Sequence, residues 1–190
     1  MKKSILIIVL FLSFKFINAQ QSFTKTENFL ITTEIKDKTK LHAPFVVNLV
    51  HAEDQSKKIS TFKIEDTELF EDIFVTTLKN PGLVGVSEVI KMEIEYLGCC
   101  AHVEAYYYMV KDDNTIVPLP RIKNVYCENS DRDFQYIFPN QEFGVKGNIL
   151  ETQTFYKEML KDVKYVNSMK SFVWNGGIVL DSNITAIASN

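Results

Sequence analysis

The stretch SEVIKMEIEYLGCCAHVEAYYYMV, residues 87–110, decides the fold. Its first part, Ser87–Leu97, alternates: Val89, Lys91, Glu93 and Glu95 fall on one side, and Ile90, Met92, Ile94 and Tyr96 on the other. Successive side chains of an extended chain point to opposite faces, so alternation over this length marks a strand with one buried face. A second strand-like segment, His102–Val110, follows the adjacent pair Cys99 and Cys100. In it His102, Glu104, Tyr106 and Tyr108 share one face, and Val103, Ala105, Tyr107 and Met109 share the other.

Working outward, the chain continues as short apolar segments between turn residues. Asn28–Ile35, Ala43–Ala52 and Lys57–Ile64 read as strands, as do TIVPLP (residues 115–120) and Asp133–Pro139. Ser171–Leu180 contains Asn175-Gly176, a strong hairpin signal. Two stretches have helical spacing. In Asp66–Gly82, the residues Leu69, Phe70, Ile73, Phe74, Thr77 and Leu78 form a stripe, with Asp66 as N-cap and Asn80-Pro81-Gly82 as stop. In Thr152–Met169 the stripe is Phe155, Met159, Val163, Val166 and Met169, with two strands around Leu160-Lys161-Asp162 as the competing reading. The fold expected is mainly β, an antiparallel sandwich or curved meander with one or two short helices. The alternative is α+β, with both helices on one sheet face.

The first residues bound the cellular context. Lys2 and Lys3 precede an apolar run from Ser4 to Phe14, and Ala19 suits a cleavage site. That is the pattern of a secretory signal peptide over residues 1–19, leaving residues 20–190 as a single β-rich domain. The run is about half the roughly 20 residues a spanning helix needs. We therefore expect a secreted or periplasmic protein with no membrane span after cleavage. Removing residues 1–19 takes away three lysines and no acid, so the formal charge moves from −3 to −6. An acidic chain with no basic stripe offers a phosphate backbone no attraction, which argues against nucleic acid.

The chain has three cysteines, and an exported protein tends to oxidise its thiols. One disulfide and one leftover thiol follow. Extending the second strand backwards puts Cys99 on the apolar side with Ala101, Val103 and Ala105, and Val125 shares a side with Cys127. This favours Cys99–Cys127, with Cys100–Cys127 as the alternative. Cys100, His102, Cys127 and Glu104 lack the paired C-x₂₋₄-C units of structural zinc sites, and adjacent cysteines are not a C-x-x-C redox motif. No metal or other cofactor is expected.

The stripe of His102, Glu104, Tyr106 and Tyr108 is the candidate contact surface. An imidazole, a carboxylate and two phenols in a row suit a sugar ring or a peptide. There is no G-x-S-x-G elbow, H-E-x-x-H helix or P-loop. The leading expectation is a non-enzymatic binding module for a protein or glycan partner. One alternative is an exported hydrolase using Glu104 with His102 as acid and base. Another is a structural or inhibitory protein that pairs through the leftover thiol.

Overall fold

The computed structural model describes residues 21–35, 39, 42–157, 162–176 and 179–182. The signal-peptide reading of residues 1–19 lies outside them. Thirteen strands and no helix occur among the described residues: β1 (Thr24–Lys25), β2 (Phe29–Ile35), β3 (Phe45–His51), β4 (Lys58–Ile64), β5 (Phe70–Lys79), β6 (Val86–Leu97), β7 (Ala101–Lys111), β8 (Ile116–Pro118), β9 (Ile122–Tyr126), β10 (Arg132–Ile137), β11 (Asn148–Tyr156), β12 (Val163–Trp174) and β13 (Val179–Ser182). All strand pairings among the described residues are antiparallel. The mainly-β antiparallel reading holds. Neither expected helix forms among the described residues: Phe70–Lys79 is β5, and the second stretch lies in β11 and β12 on either side of residues 157–162.

The opening stretch forms the heart of a six-stranded sheet, in the order β1-β5-β6-β7-β8, with β9 also on β7. β5, β6, β7 and β8 follow one another in sequence and in space, so these pairings need only short turns, whereas β1 reaches β5 across the chain of the three-stranded sheet. A three-stranded sheet (β2-β3-β4) and a four-stranded sheet (β10-β11-β12-β13) complete the fold. The six-stranded sheet is the middle layer. On one face Ile90, Met92, Ile94, Tyr108 and Val110 pack with Phe29, Val47, Leu49 and Ile64 of the three-stranded sheet. On the other, Leu78, Val89, Ala105, Tyr107 and Met109 pack with Tyr136, Ile149, Phe172 and Trp174 of the four-stranded sheet. Tyr107 and Tyr136 meet edge to face at 5.0 Å. The Trp174 indole N–H donates to the Val84 carbonyl at 2.7 Å, tying the outer sheet to the loop before β6.

This layering corrects the expectation that β6 buries one face only. Lys91 and Glu93, on its polar side, pair with each other at 2.7 Å and are largely covered. The Lys91 ammonium also lies over the rings of Phe23 and Tyr107. Burial disfavours that ammonium, yet Tyr107, Glu93 and Asp133 together hold its pKa above the ordinary lysine value. A polar pattern is thus compatible with burial once its charges are paired.

The helical expectations fail for a common reason. In the first stretch Ile73, Val75 and Thr77 also alternate, and β-branched side chains favour strands. Asp66 does accept a backbone N–H, from Leu69, but it caps a turn leading into β5. Pairing with β6 along the whole length of β5 then decides. In the second stretch Thr152 and Thr154 are buried on one face of β11, which pairs back onto β12. The competing reading of two strands around Asp162 is the one adopted. The Asn175-Gly176 signal marks the β12–β13 hairpin, with Gly176 at φ +88° where a side chain would be strained.

Candidate functional site

The pairing of β7 with β9 builds the candidate surface. Ala101 faces Tyr126, His102 faces Val125, Glu104 faces Lys123 and Ala105 faces Ile122. Continued by one residue at each end, the same register sets Cys100 opposite Cys127 and Tyr106 opposite Arg121. Cross-strand neighbours on one face lie close enough to bond. Cys100 and Cys127 do so, with Cα atoms 4.4 Å apart.

This corrects the Cys99–Cys127 expectation. The chain bends at residues 98–100, so Cys99 does not continue the apolar face of β7. Val125 is also not on the core side; it is 58% exposed, while Ile122 and Asn124 point inward. Cys127, which shares the side of Val125, therefore meets Cys100 on the open face. Cys99 is exposed and unpaired. With both sulfurs of Cys100 and Cys127 bonded to each other, neither is available as a thiolate ligand, and no group of three metal-ligating side chains occurs among the described residues.

Glu104 is the centre of the face. Its Oε2 accepts from the Tyr106 hydroxyl at 2.6 Å and from Arg121 Nη1 at 2.9 Å, and its Oε1 lies 3.0 Å from the Lys123 ammonium. Burial pushes the Glu104 carboxyl up, but the hydrogen bonds from Tyr106 and Lys123 and the charges of Arg121 and Lys123 outweigh it. The pKa falls below the ordinary value, and the group is ionised at neutral pH. Burial and the bond to Glu104 push the Tyr106 phenol up to about 12. Tyr106 also packs against Phe62 at 4.5 Å, and the Arg121 guanidinium lies 5.9 Å from its ring.

The other members of the stripe separate. His102 stays at the surface, with Nε2 3.8 Å from Glu104 Oε1 and its ring 5.9 Å from Tyr96. Although the ring is partly exposed, that nitrogen is itself buried and makes no hydrogen bond among the described residues. Tyr108 is not a surface contact. It is 7% exposed, because the three-stranded sheet covers this part of the face and takes the ring into its core. The stripe therefore runs from an open end at Cys100 and His102 to a covered end at Tyr108.

Arg121 and Lys123 belong to the site and were not singled out from the sequence. They lie in the segment PLPRIKN, and their shared side with Val125 and Cys127 is visible in it. Placing them on Glu104 requires the Cys100–Cys127 register, which the preference for Cys99 hid.

Two clefts lie elsewhere. One, of about 510 Å³, is lined by Asn28, His51, Asp54, Ser87, Glu88 and neighbours. Glu88 shares the face of Ile90 and Met92 and lines this cleft, and burial raises its carboxyl pKa, while the bulge between Val86 and Glu88 sets Val86 in the opposite core. The other, of about 330 Å³, lies between Gln21, Gln135, Phe143, Thr154 and Val166. Neither is lined by His102 or Glu104. Between the middle and four-stranded sheets, Asp133 accepts from the Tyr126 hydroxyl at 2.7 Å. Burial holds its carboxyl above the ordinary aspartate value despite that bond.

No protein-family model matches the chain, and no curated protein or solved structure does so. The fold and disulfide define an all-β antiparallel protein tied by one cross-strand bridge. No helix among the described residues is long and apolar enough to cross a membrane.

Proposed function

We propose that this is an exported, non-enzymatic binding module for a protein or glycan partner. Its contact face is the open end of the middle sheet, around His102, Glu104, Tyr106, Arg121 and Lys123. Export is supported by the signal-peptide pattern of residues 1–19 and by the Cys100–Cys127 bridge, since disulfides persist in oxidising compartments.

One observation carries the reading: the carboxylate of Glu104 is already fully engaged. A general acid needs a proton at working pH, and a general base needs a free lone pair aimed at substrate. Glu104 is held ionised, with both oxygens committed to Tyr106, Arg121 and Lys123. What that arrangement does supply is order. It fixes two long cationic side chains and a phenol before any partner arrives, which lowers the entropy lost on binding.

The test is retention on arrays of glycans and extracellular proteins, run beside a panel of ester, glycoside and peptide substrates. The expected result is retention that Arg121→Gln weakens while the thermal midpoint falls by only a few degrees, as loss of one half-exposed ion pair should cost about 1 kcal/mol or less, and no turnover. Turnover that Glu104→Gln removes would establish the hydrolase instead. Cys99 favours a second reading, a protein that pairs through its exposed thiol. A reductant-sensitive dimer on a non-reducing gel would support it.

A further inference from the structure

The charges of the face are not equally accessible. Glu104 has 13% of its side chain exposed, whereas Arg121 has 42% and Lys123 49%. The anion lies beneath and the cations above it. A face that reads as balanced in composition thus presents positive groups to a partner, on a chain whose net charge is negative.

The cations also keep binding capacity. Arg121 spends only Nη1, on Glu104 and the Tyr106 hydroxyl. Its Nε and Nη2 have no hydrogen-bond partner among the described residues, and a guanidinium edge of two parallel N–H groups matches a carboxylate. Lys123 has three N–H groups and one acceptor, Glu104. Arg121, Lys123 and Glu104 sum to one positive charge, enough for one carboxylate.

Resting on the binding reading above, we infer that Arg121 and Lys123 receive the carboxylate of an aspartate or glutamate in an extended peptide segment of a partner protein. Residues two apart in a strand stand about 6.6 Å apart, which is the repeat at which an extended peptide presents side chains on one face. Arg121, Lys123 and Val125 form such a row. Val125 is more than half exposed beside the two cations, so the row pairs an acid-binding position with an apolar one. That combination favours a peptide over an acidic polysaccharide, which has little use for the valine.

The experiment is a biosensor measurement with biotinylated peptides whose core is Glu-Thr-Glu-Thr-Val between Gly-Ser flanks, which sets both glutamates and the valine on one face of an extended segment. The controls are the same peptide with glutamine for glutamate, and polygalacturonate. The acidic peptide is expected to bind at least tenfold tighter than its glutamine counterpart. Arg121→Gln and Lys123→Gln should each weaken it about tenfold. Arg121→Lys, which keeps the charge and loses the planar edge, should fall between wild type and Arg121→Gln. Equal binding of both peptides that Val125→Asp abolishes and Arg121→Gln does not would leave the contact face standing and overturn the acidic preference. Retention of polygalacturonate without peptide would overturn the peptide as occupant. Binding insensitive to Arg121, Lys123, Tyr106 and Val125 alike would overturn both this inference and the face itself.

Discussion

Breaking the cross-strand bridge offers the sharpest test of the register on which the site depends. Cys100 and Cys127 are separated by 27 positions. Closing a loop of that size removes chain entropy from the unfolded state worth about 3.5 kcal/mol at 25 °C in the loop-closure treatment. For a chain of this size 1 kcal/mol moves the thermal midpoint by roughly 2–4 °C, so the double variant Cys100→Ser/Cys127→Ser should melt roughly 7–14 °C lower. Cys99→Ser removes an exposed thiol with no bond and should stay within about 0.5 kcal/mol of wild type. Urea unfolding followed by tryptophan fluorescence reads all three proteins, since Trp174 is buried in one core. Adding reductant should bring wild type to the double variant and leave the variant where it is. The reasoning is refuted if Cys99→Ser carries the loss, or if an unreduced digest links Cys99 to Cys127.

Three further outcomes follow from the packing and the titrating groups. Replacing Glu104 by Gln should cost about 1–2 kcal/mol at neutral pH, a charge-assisted network discounted for its half-exposed cations. Because the folded carboxyl lies below its ordinary value of 4.5, its contribution is present above that pH and lost as pH falls through the folded value. Urea midpoints of wild type and Glu104→Gln should therefore converge in acid. Asp133 has the opposite sign: its raised carboxyl favours folding at low pH, and that contribution is lost as pH rises past the ordinary value of 3.8. Asp133→Asn should gain on wild type from pH 3 to pH 7, and an unchanged difference across that range would contradict the burial of the group. Phe172→Ala, deep in the core shared by the middle and four-stranded sheets, should cost about 3–5 kcal/mol by calorimetry.

Much of the fold was legible in local pattern. The alternation in Ser87–Leu97 and His102–Val110 marked the two central strands, and Asn175-Gly176 marked a hairpin. What misled was ambiguity between periods. A stripe such as Leu69, Phe70, Ile73 and Phe74 satisfies a helix, yet Ile73, Val75 and Thr77 satisfy a strand, and only pairing with β6 decides between them. The third layer was hidden because Lys91 and Glu93 look solvated until each is given the other as partner.

The site was legible in part for a similar reason. His102, Glu104 and Tyr106 follow from strand alternation alone. Arg121 and Lys123 reach Glu104 through a long-range register, and that register hangs on which of two adjacent cysteines is bridged. Tyr108 keeps the alternation and loses the exposure, because coverage by the three-stranded sheet is a property of the assembled layers.

The most direct measurement of the central claim is a nuclear magnetic resonance titration of the ¹⁵N-labelled protein with the Glu-Thr-Glu-Thr-Val peptide. Amide shifts are predicted to concentrate at Tyr96, His102, Glu104, Tyr106, Arg121, Lys123 and Val125. Shifts centred instead on the cleft of His51 and Glu88, or none at millimolar peptide, would contradict the account.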